Sequence, residues 1–398
     1  DYFSHCLIMN FLIKKFSPIF LFISFLILIY TFYKSEIVLG GLYRNYYVTY
    51  YLISLILIFF SIISFFMSFK IKEYIVILGF SFLLSLYLFE GYITFKQPFS
   101  KEQQLKKELY ENQTKNKWDG RAKIQIYKDL KKTKNQIVVN VPPKNFFNKD
   151  YNLLPLSGIS NSETIYCNEN GYYAIYNSDR YGFNNPDSEW DKKEVEYILV
   201  GDSFTHGACV NRPHDIASVL RNISNKSTLN LGYDGNGPLL EYATLKEYIN
   251  DNIKKVIWIF YGNDFYNLRF ELKNEILNSY LNNPNFIQNL KSKQNEIDKL
   301  VSKIINENKK KKVSKKAIIF FFKLRETRTI LNNYLPENQQ PKIEITKIEI
   351  EKFIKILNLT KDLVRRNNSK LYFVYLPEFS HYQVNYDNSN YNLIKNIV

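Results

Sequence analysis

Three apolar stretches near the start of the chain limit what it can fold into more than any other feature. Phe16 to Tyr33 is eighteen residues without a charge, and Tyr46 to Phe69 is twenty-four. Tyr74 to Phe89 adds sixteen more, continued by Gly91 to Phe95 after a lone Glu90. A helix crosses the hydrocarbon of a bilayer with about 20 apolar residues, and inside lipid every backbone polar group must be satisfied within the segment. Residues 9–95 are therefore expected to form an anchor of three transmembrane helices, with the lipid bilayer as partner. A cleaved signal peptide is the rival reading for the first run, which is too long for one and is followed by two more. The first methionine is Met9, and the stretch to Lys15 resembles a natural start, so Asp1 to Ile8, with His5 and Cys6, is expected to be upstream reading frame or the mark of a fragment.

Charge around the spans sets an expected orientation. Lys14, Lys15, Lys70 and Lys72 lie on one side, against Lys34 and Arg44 on the other. The positive-inside rule then puts the N-terminus in the cytoplasm and the C-terminal part outside a cell (inner) membrane, on its periplasmic or extracytoplasmic face. Lys96, Lys101, Lys106 and Lys107 weigh the other way. Glu90 falls near the end of its span, where a carboxylate at headgroup level is ordinary.

The net charge of +15 raises the question of nucleic acid. Most of the lysines are scattered among Asn and Ile, and the one dense cluster is Lys309 to Lys312 with Lys315 and Lys316. No Arg-rich face with interleaved aromatics accompanies it, so no nucleic-acid partner is expected. A solvated helix end is the plain reading of that cluster, and contact with anionic headgroups is the alternative. The two cysteines beyond the spans, Cys167 and Cys209, could pair in an oxidising compartment, and spacing alone leaves this open.

After a polar Ser100–Asn116 stretch suited to a helix or stalk, Gln136 to Val141 has the pattern of a short strand ended by Pro142-Pro143. Leu156 to Asp187 is dense in Gly, Asn, Ser and Tyr, as structured loops are. From there strands and helices alternate. Val195–Val200, Thr228–Leu231, Val256–Tyr261 and Leu371–Leu376 are expected strands, and Ile216–Ile223, Pro238–Ile249 and Ile345–Arg365 are expected helices. Such alternation predicts an α/β doubly wound parallel sheet. The expected domains are the anchor at 9–95, a stalk and lead-in at 96–194, and the α/β domain at 195–398. A long helical insertion, about 265–340, would serve as a lid or substrate platform, or equally as a packing appendage.

The informative motif is Gly201-Asp202-Ser203-Phe204-Thr205-His206-Gly207, directly after the Val195–Val200 strand. A serine there sits where strand turns into helix, so its backbone N–H and the helix N-terminus face any oxyanion formed beside it. Two further blocks end the next two strands: Asn230-Leu231-Gly232-Tyr233-Asp234-Gly235-Asn236-Gly237 and Tyr261-Gly262-Asn263-Asp264. Together the three blocks resemble the SGNH/GDSL hydrolase superfamily, most closely from Val195 to Leu268. The Leu156–Asp187 lead-in looks like that of membrane-anchored bacterial members. The resemblance implies a flavodoxin-like SGNH fold in which Ser203 is the nucleophile and Gly235 and Asn263 supply oxyanion-hole donors.

The family's fourth block, Asp-x-x-His after a last strand, is not found in the chain. His206 and His214 lie on the first crossover and are expected to cap or pack. Glu378-Phe379-Ser380-His381 is a Glu-for-Asp variant placed one strand early, so the catalytic Asp and His, with the last strand, are expected beyond Val398. The resemblance implies a serine esterase acting on acyl or acetyl esters of envelope glycans or lipids. An O-acetyltransferase of cell-surface polysaccharide is the alternative within enzymes, and a non-catalytic membrane-anchored binding or scaffold domain the alternative outside them. The histidines and cysteines are unclustered and no dinucleotide or Walker spacing occurs, so neither metal nor cofactor is expected. Nothing in the sequence speaks to oligomeric state.

Overall fold

A computed structural model describes residues 2–41, 44–96, 101–310, 314–334, 345–382 and 388–398. The side chains of His5, Cys6 and the Lys309–Lys316 cluster lie outside the described residues. The chain divides into two compact units, Asp1–Pro98 with Val313–Glu344, and Phe99–Lys312 with Ile345–Val398.

The first unit contains α1 (Tyr2–Phe32), extended by a wider helical turn over Tyr33–Val38, then α2 (Arg44–Ser64) and α3 (Phe69–Lys96). Ile13–Val38, Arg44–Ser64 and Phe69–Phe95 are long and apolar enough to cross a membrane. Their burial is inverted relative to a water-soluble protein: Phe22, Ile29, Leu52, Phe59, Leu78 and Phe82 are exposed, while Ser17, Ser54, Ser61 and Ser64 are buried. Small residues let α1 and α2 approach closely, and Ser17 Oγ donates to the Ser64 carbonyl across them at 3.0 Å. Leu and Phe need no such partner, because lipid tails are as apolar as they are. The three expected spans are therefore present as helices of a membrane protein.

The expected insertion is not one body. Its first part, α9 (Asp264–Glu271), α10 (Glu275–Asn282) and α11 (Gln294–Lys310), belongs to the second unit. Its second part, α12 (Ser314–Phe322) and α13 (Arg325–Tyr334), groups with the membrane helices.

The second unit opens with α4 (Lys101–Thr114) and α5 (Lys123–Lys131) and then forms two sheets. The smaller joins β1 (Ile137–Val139), β2 (Glu163–Ile165) and β3 (Ile175–Asn177), β1–β2 parallel and β2–β3 antiparallel. Two of these strands fall where the sequence suggested only loops. Three-residue strands are too short to show alternation, and their apolar side chains pack on Ile126 and Tyr127 of α5 instead.

The larger sheet contains β4 (Val195–Gly201), β5 (Thr228–Asn230), β6 (Ile253–Tyr261) and β7 (Lys370–Leu376) in the order β5-β4-β6-β7, all parallel. The crossovers are α6 (Ser203–His206) with α7 (Ile216–Ser224), α8 (Pro238–Tyr248), and α9 through α14 (Lys347–Arg366). Strand ranges agree with the expected ones to within three residues. The C-terminal Ser389–Ile397 is helix α15.

Two local signals explain the longest crossover helix. Thr346 and Glu349 form a reciprocal capping box, Glu349 N–H to Thr346 Oγ1 at 3.2 Å and Thr346 N–H to Glu349 Oε2 at 2.7 Å. Behind the cap, Phe353 enters an aromatic cluster with Trp258, Phe260, Phe265 and Phe373, ring centroids 5.2–6.3 Å apart. Each such side chain contributes about 1.5–3 kcal/mol by leaving water, which holds α14 against β6 and β7.

Candidate functional site

Parallel strands all deliver their following loops to one edge. In its own strand numbering the sheet runs 2-1-3-4, and the crevice at such a switch in order is where open α/β sheets bind ligands. The Ser203 turn leaves β4, with the 231–237 loop from β5 on one side and the 262–264 loop from β6 on the other.

Direct contacts tie these loops in pairs. Tyr233 N–H donates to the Gly201 carbonyl at 3.2 Å, joining the second block to the first. The Phe204 and Tyr261 rings, each next to a motif residue, lie 4.4 Å apart and join the first block to the third. Asn267 Nδ2, on α9 directly after the third block, donates to the Asn236 carbonyl at 2.9 Å and joins that helix to the second block.

Ser203 is half-buried, and among the described residues its hydroxyl bonds only to Asp202 Oδ2, at 3.4 Å. Asp202 caps the turn by accepting Phe204 N–H at 2.9 Å. Burial pushes the Asp202 carboxyl up to about 6, against the opposing pull of the Phe204 N–H, the Ser203 hydroxyl and the Ser203 N–H. The helix begun at Ser203 is a single turn of four residues, so the aligned peptide dipoles there amount to little.

Gly235 is partly exposed and has φ +75°, a left-handed conformation that favours glycine. Lys144, from the short helical turn Pro143–Phe146, reaches across it: a methyl group on Gly235 would meet Lys144 Nζ at 3.1 Å. Asn263 is exposed, and its carboxamide makes no hydrogen bond among the described residues. Its neighbour Asp264 is fully buried and accepts Tyr261 N–H at 2.8 Å, which closes the turn that presents Asn263.

The histidines divide clearly. His206 is fully buried among the rings of Tyr166, Tyr233 and Tyr176, at centroid distances of 4.4, 4.7 and 5.1 Å. Burial lowers it to about 3, so it stays a neutral ring, a packing residue as expected. His214 is exposed on the way to α7. His381 follows β7 at the same sheet edge, half-buried beside Tyr391 and Tyr382. Glu378 of the same segment stands against the third block, its Oε1 2.5 Å from where a Gly262 methyl would be.

Beneath the loops lies a set of buried acids that motif reading passed over. Glu241 accepts from Trp258 Nε1 at 2.6 Å, and Glu271 accepts the N–H groups of Gly237 and Leu239 at 2.6 and 2.9 Å. Burial lifts Glu271 to about 8. Glu241 and Asp264 stand well above the ordinary carboxylate range, first by burial and then by neighbouring charge, from Asp202 and Glu271 on Glu241 and from Glu241 and Asp202 on Asp264.

The lead-in supplies a second missed layer. Asn184 Nδ2 holds the His206 carbonyl at 3.0 Å, and Asn185 and Asn230 exchange two bonds of 2.7 and 2.9 Å. Asn230 Nδ2 then holds the Thr205 carbonyl at 2.6 Å. Asp179 organises the lead-in itself, accepting Tyr181 N–H, Phe183 N–H, Asn185 Nδ2 and Trp190 Nε1. A disulfide joins Cys167, after β2, to Cys209, after the Ser203 turn, with Cα atoms 4.9 Å apart. An Asn-rich chain hides the roles of Asn184, Asn185 and Asn230, because their bonds span 22 to 45 residues.

No family model, curated protein or solved structure matches the chain.

Proposed function

We propose that the chain is a membrane-anchored serine esterase of SGNH/GDSL type, with a doubly wound α/β domain. Ser203 attacks an acyl or acetyl ester carbonyl, and the Asn263 carboxamide with the Gly235 and Ser203 N–H groups stabilises the oxyanion. The observation that carries this reading is the pairwise contact of three motif loops at one edge of a parallel sheet, with Ser203 on the middle strand. Asn263 suits its role because its amide is exposed and uncommitted among the described residues, held by a turn whose buried Asp264 does the structural work. Esters of envelope glycans or lipids are the substrate class that a bilayer anchor favours. The Cys167–Cys209 disulfide supports an extracytoplasmic site, since such bonds persist in oxidising compartments.

Transfer of the acyl group to a polysaccharide hydroxyl uses the same nucleophile and differs only in the acceptor. One observation favours a non-catalytic binding domain instead: among the described residues Ser203 hydrogen-bonds to a carboxyl group and to no histidine. A fluorophosphonate probe on the full chain in detergent separates these readings. Labelling abolished by Ser203→Ala supports the esterase, and a folded chain that never labels supports the binding domain. His381→Ala then tells whether the Glu378–His381 segment supplies the base, and acetyl release to water or to sugar separates hydrolysis from transfer.

A further inference from the structure

Glu90 is the one acidic residue between Tyr74 and Phe95 of α3, and it is completely buried. Its partners come from far along the chain. Glu90 Oε1 accepts Glu326 N–H at 3.0 Å, and Oε2 accepts Thr327 N–H at 2.8 Å and Thr327 Oγ1 at 2.7 Å. The carboxylate thus caps the N-terminus of α13, a ten-residue helix with otherwise unbonded N–H groups in its first turn. One turn earlier, Tyr87 donates to the Phe322 carbonyl at 3.2 Å and its ring lies 5.6 Å from Phe321. Phe321 also closes over Gly91, where a methyl would touch its ring at 3.7 Å. The pair α12–α13 is therefore seated on α3 along the Tyr87, Glu90, Gly91 face.

Besides the exposed Lys323, Arg325 and Arg328, whose long stems reach outward to headgroup level, the pair leaves a set of apolar side chains uncovered. Ile318, Ile319, Phe322 and Leu331 are between 50% and 65% exposed. They continue the exposed apolar surface of α3, where Leu84, Leu88 and Tyr92 are likewise more than half exposed. Lys96, the next charge on α3, stands six positions after Glu90, so α13 begins about 9 Å inside the charged end of the span. Interfacial helices sink to about that depth, about 5–10 Å into the boundary between headgroups and acyl chains.

We propose that α12 and α13 form a membrane-embedded interfacial hairpin, held by Glu90 and covered by lipid at the headgroup–acyl boundary. The occupant is the bilayer, because the uncovered face is continuous with a span that lipid already surrounds. A carboxylate in lipid is costly unless bonded, and the hairpin supplies its bonds, so anchor and insertion need each other.

Ile319→Cys and Phe322→Cys, each in a chain also carrying Cys6→Ser, can bear an environment-sensitive fluorophore in phosphatidylcholine–phosphatidylglycerol vesicles. Ile223→Cys, on the 78%-exposed position of α7, serves as the aqueous reference. Lipids spin-labelled near the headgroup should quench positions 319 and 322 at least about threefold more than aqueous iodide does, with the order reversed at 223. Glu90→Gln turns one of the two acceptor oxygens into a donor facing donors, and iodide access at 322 should then rise by about tenfold. Iodide access at 319 and 322 equal to that at 223 overturns the proposal. So does lipid quenching that appears only when single-copy nanodiscs are filled with one chain each and is displaced in crowded vesicles, which assigns the face to a second copy. The labelled chains keep Glu90, so the lipid test stands whether or not Glu90→Gln folds.

Discussion

A methyl group on Gly232 would lie 2.5 Å from Thr205 Cβ, 2.6 Å from His206 N and 2.6 Å from Thr205 Cγ2. Non-bonded carbon atoms settle at about 3.5–4.0 Å, so Gly232→Ala forces the second block and the Ser203 turn apart by about 1 Å. No flexible side chain can yield instead, because the obstacles are a β-carbon, its methyl and a backbone nitrogen. Asn230 also clamps the two segments, through its Nδ2 to the Thr205 carbonyl and its Oδ1 from Gly232 N–H at 2.9 Å. Overpacking of this kind costs about 1–3 kcal/mol of stability. A reacting group displaced by ~1 Å loses about 100-fold in rate. Gly235→Ala is the matched comparison. It incurs about 1–2 kcal/mol of left-handed strain, yet its methyl meets only Lys144, an exposed chain free to swing aside. Urea unfolding and the rate of fluorophosphonate labelling are measured for both. Similar losses of stability are expected, with labelling slowed about 100-fold in Gly232→Ala and within a few-fold of the parent in Gly235→Ala. Gly232→Ala labelling at the parent rate would refute the idea that contact between these loops positions Ser203.

Stability should fall as pH rises from 6.5 to 8. Glu271, pushed up to about 8 by burial, keeps its proton in the folded chain over this window while the unfolded chain has lost it. The loss is about 1.4 kcal/mol per pH unit for that group, with Glu241 and Asp264 acting in the same direction. His206, lowered to about 3, changes stability only below about 6.5, so urea midpoints that rise between 6.5 and 8 would contradict the buried-acid assignment. Replacing Cys167 and Cys209 by Ser should cost about 4 kcal/mol, from a sequence separation of 42, seen as a lower urea midpoint in the oxidised parent's absence of reductant. Glu349→Ala removes the acceptor of Thr346 N–H in the α14 capping box and the buried partner of the half-buried Arg269, a loss of about 3 kcal/mol in the same assay. Asn263→Ala should leave that midpoint unchanged and slow ester turnover by about 100- to 1,000-fold.

Local chemistry made much of this legible. The spans show as uncharged runs because lipid tolerates nothing else over that length. β4 and β6 show as apolar runs because both faces of an inner parallel strand are covered, as Val256 to Phe260 is, whereas the edge strand β7 leaves Tyr372 and Val374 exposed. Thr346 and Glu349 announce a helix start three residues apart, with no help from the rest of the fold. Of the small sheet only β1 was legible, from the apolar run that Pro142-Pro143 ends; β2 and β3 were not, because strands of three residues carry no period.

From sequence alone came the order of elements, the anchor and the three loops that end strands β4, β5 and β6, all properties of contiguous residues whose solvent preference or turn chemistry is local. Only the tertiary structure decided that Cys167 meets Cys209, that Asn185 and Asn230 lock the lead-in to the second block, and that Glu90 caps a helix 236 residues away. Those contacts depend on where the chain returns in space. A polar side chain reads the same in sequence whether its partner is water, lipid headgroup or a distant backbone N–H, and packing alone selects among them.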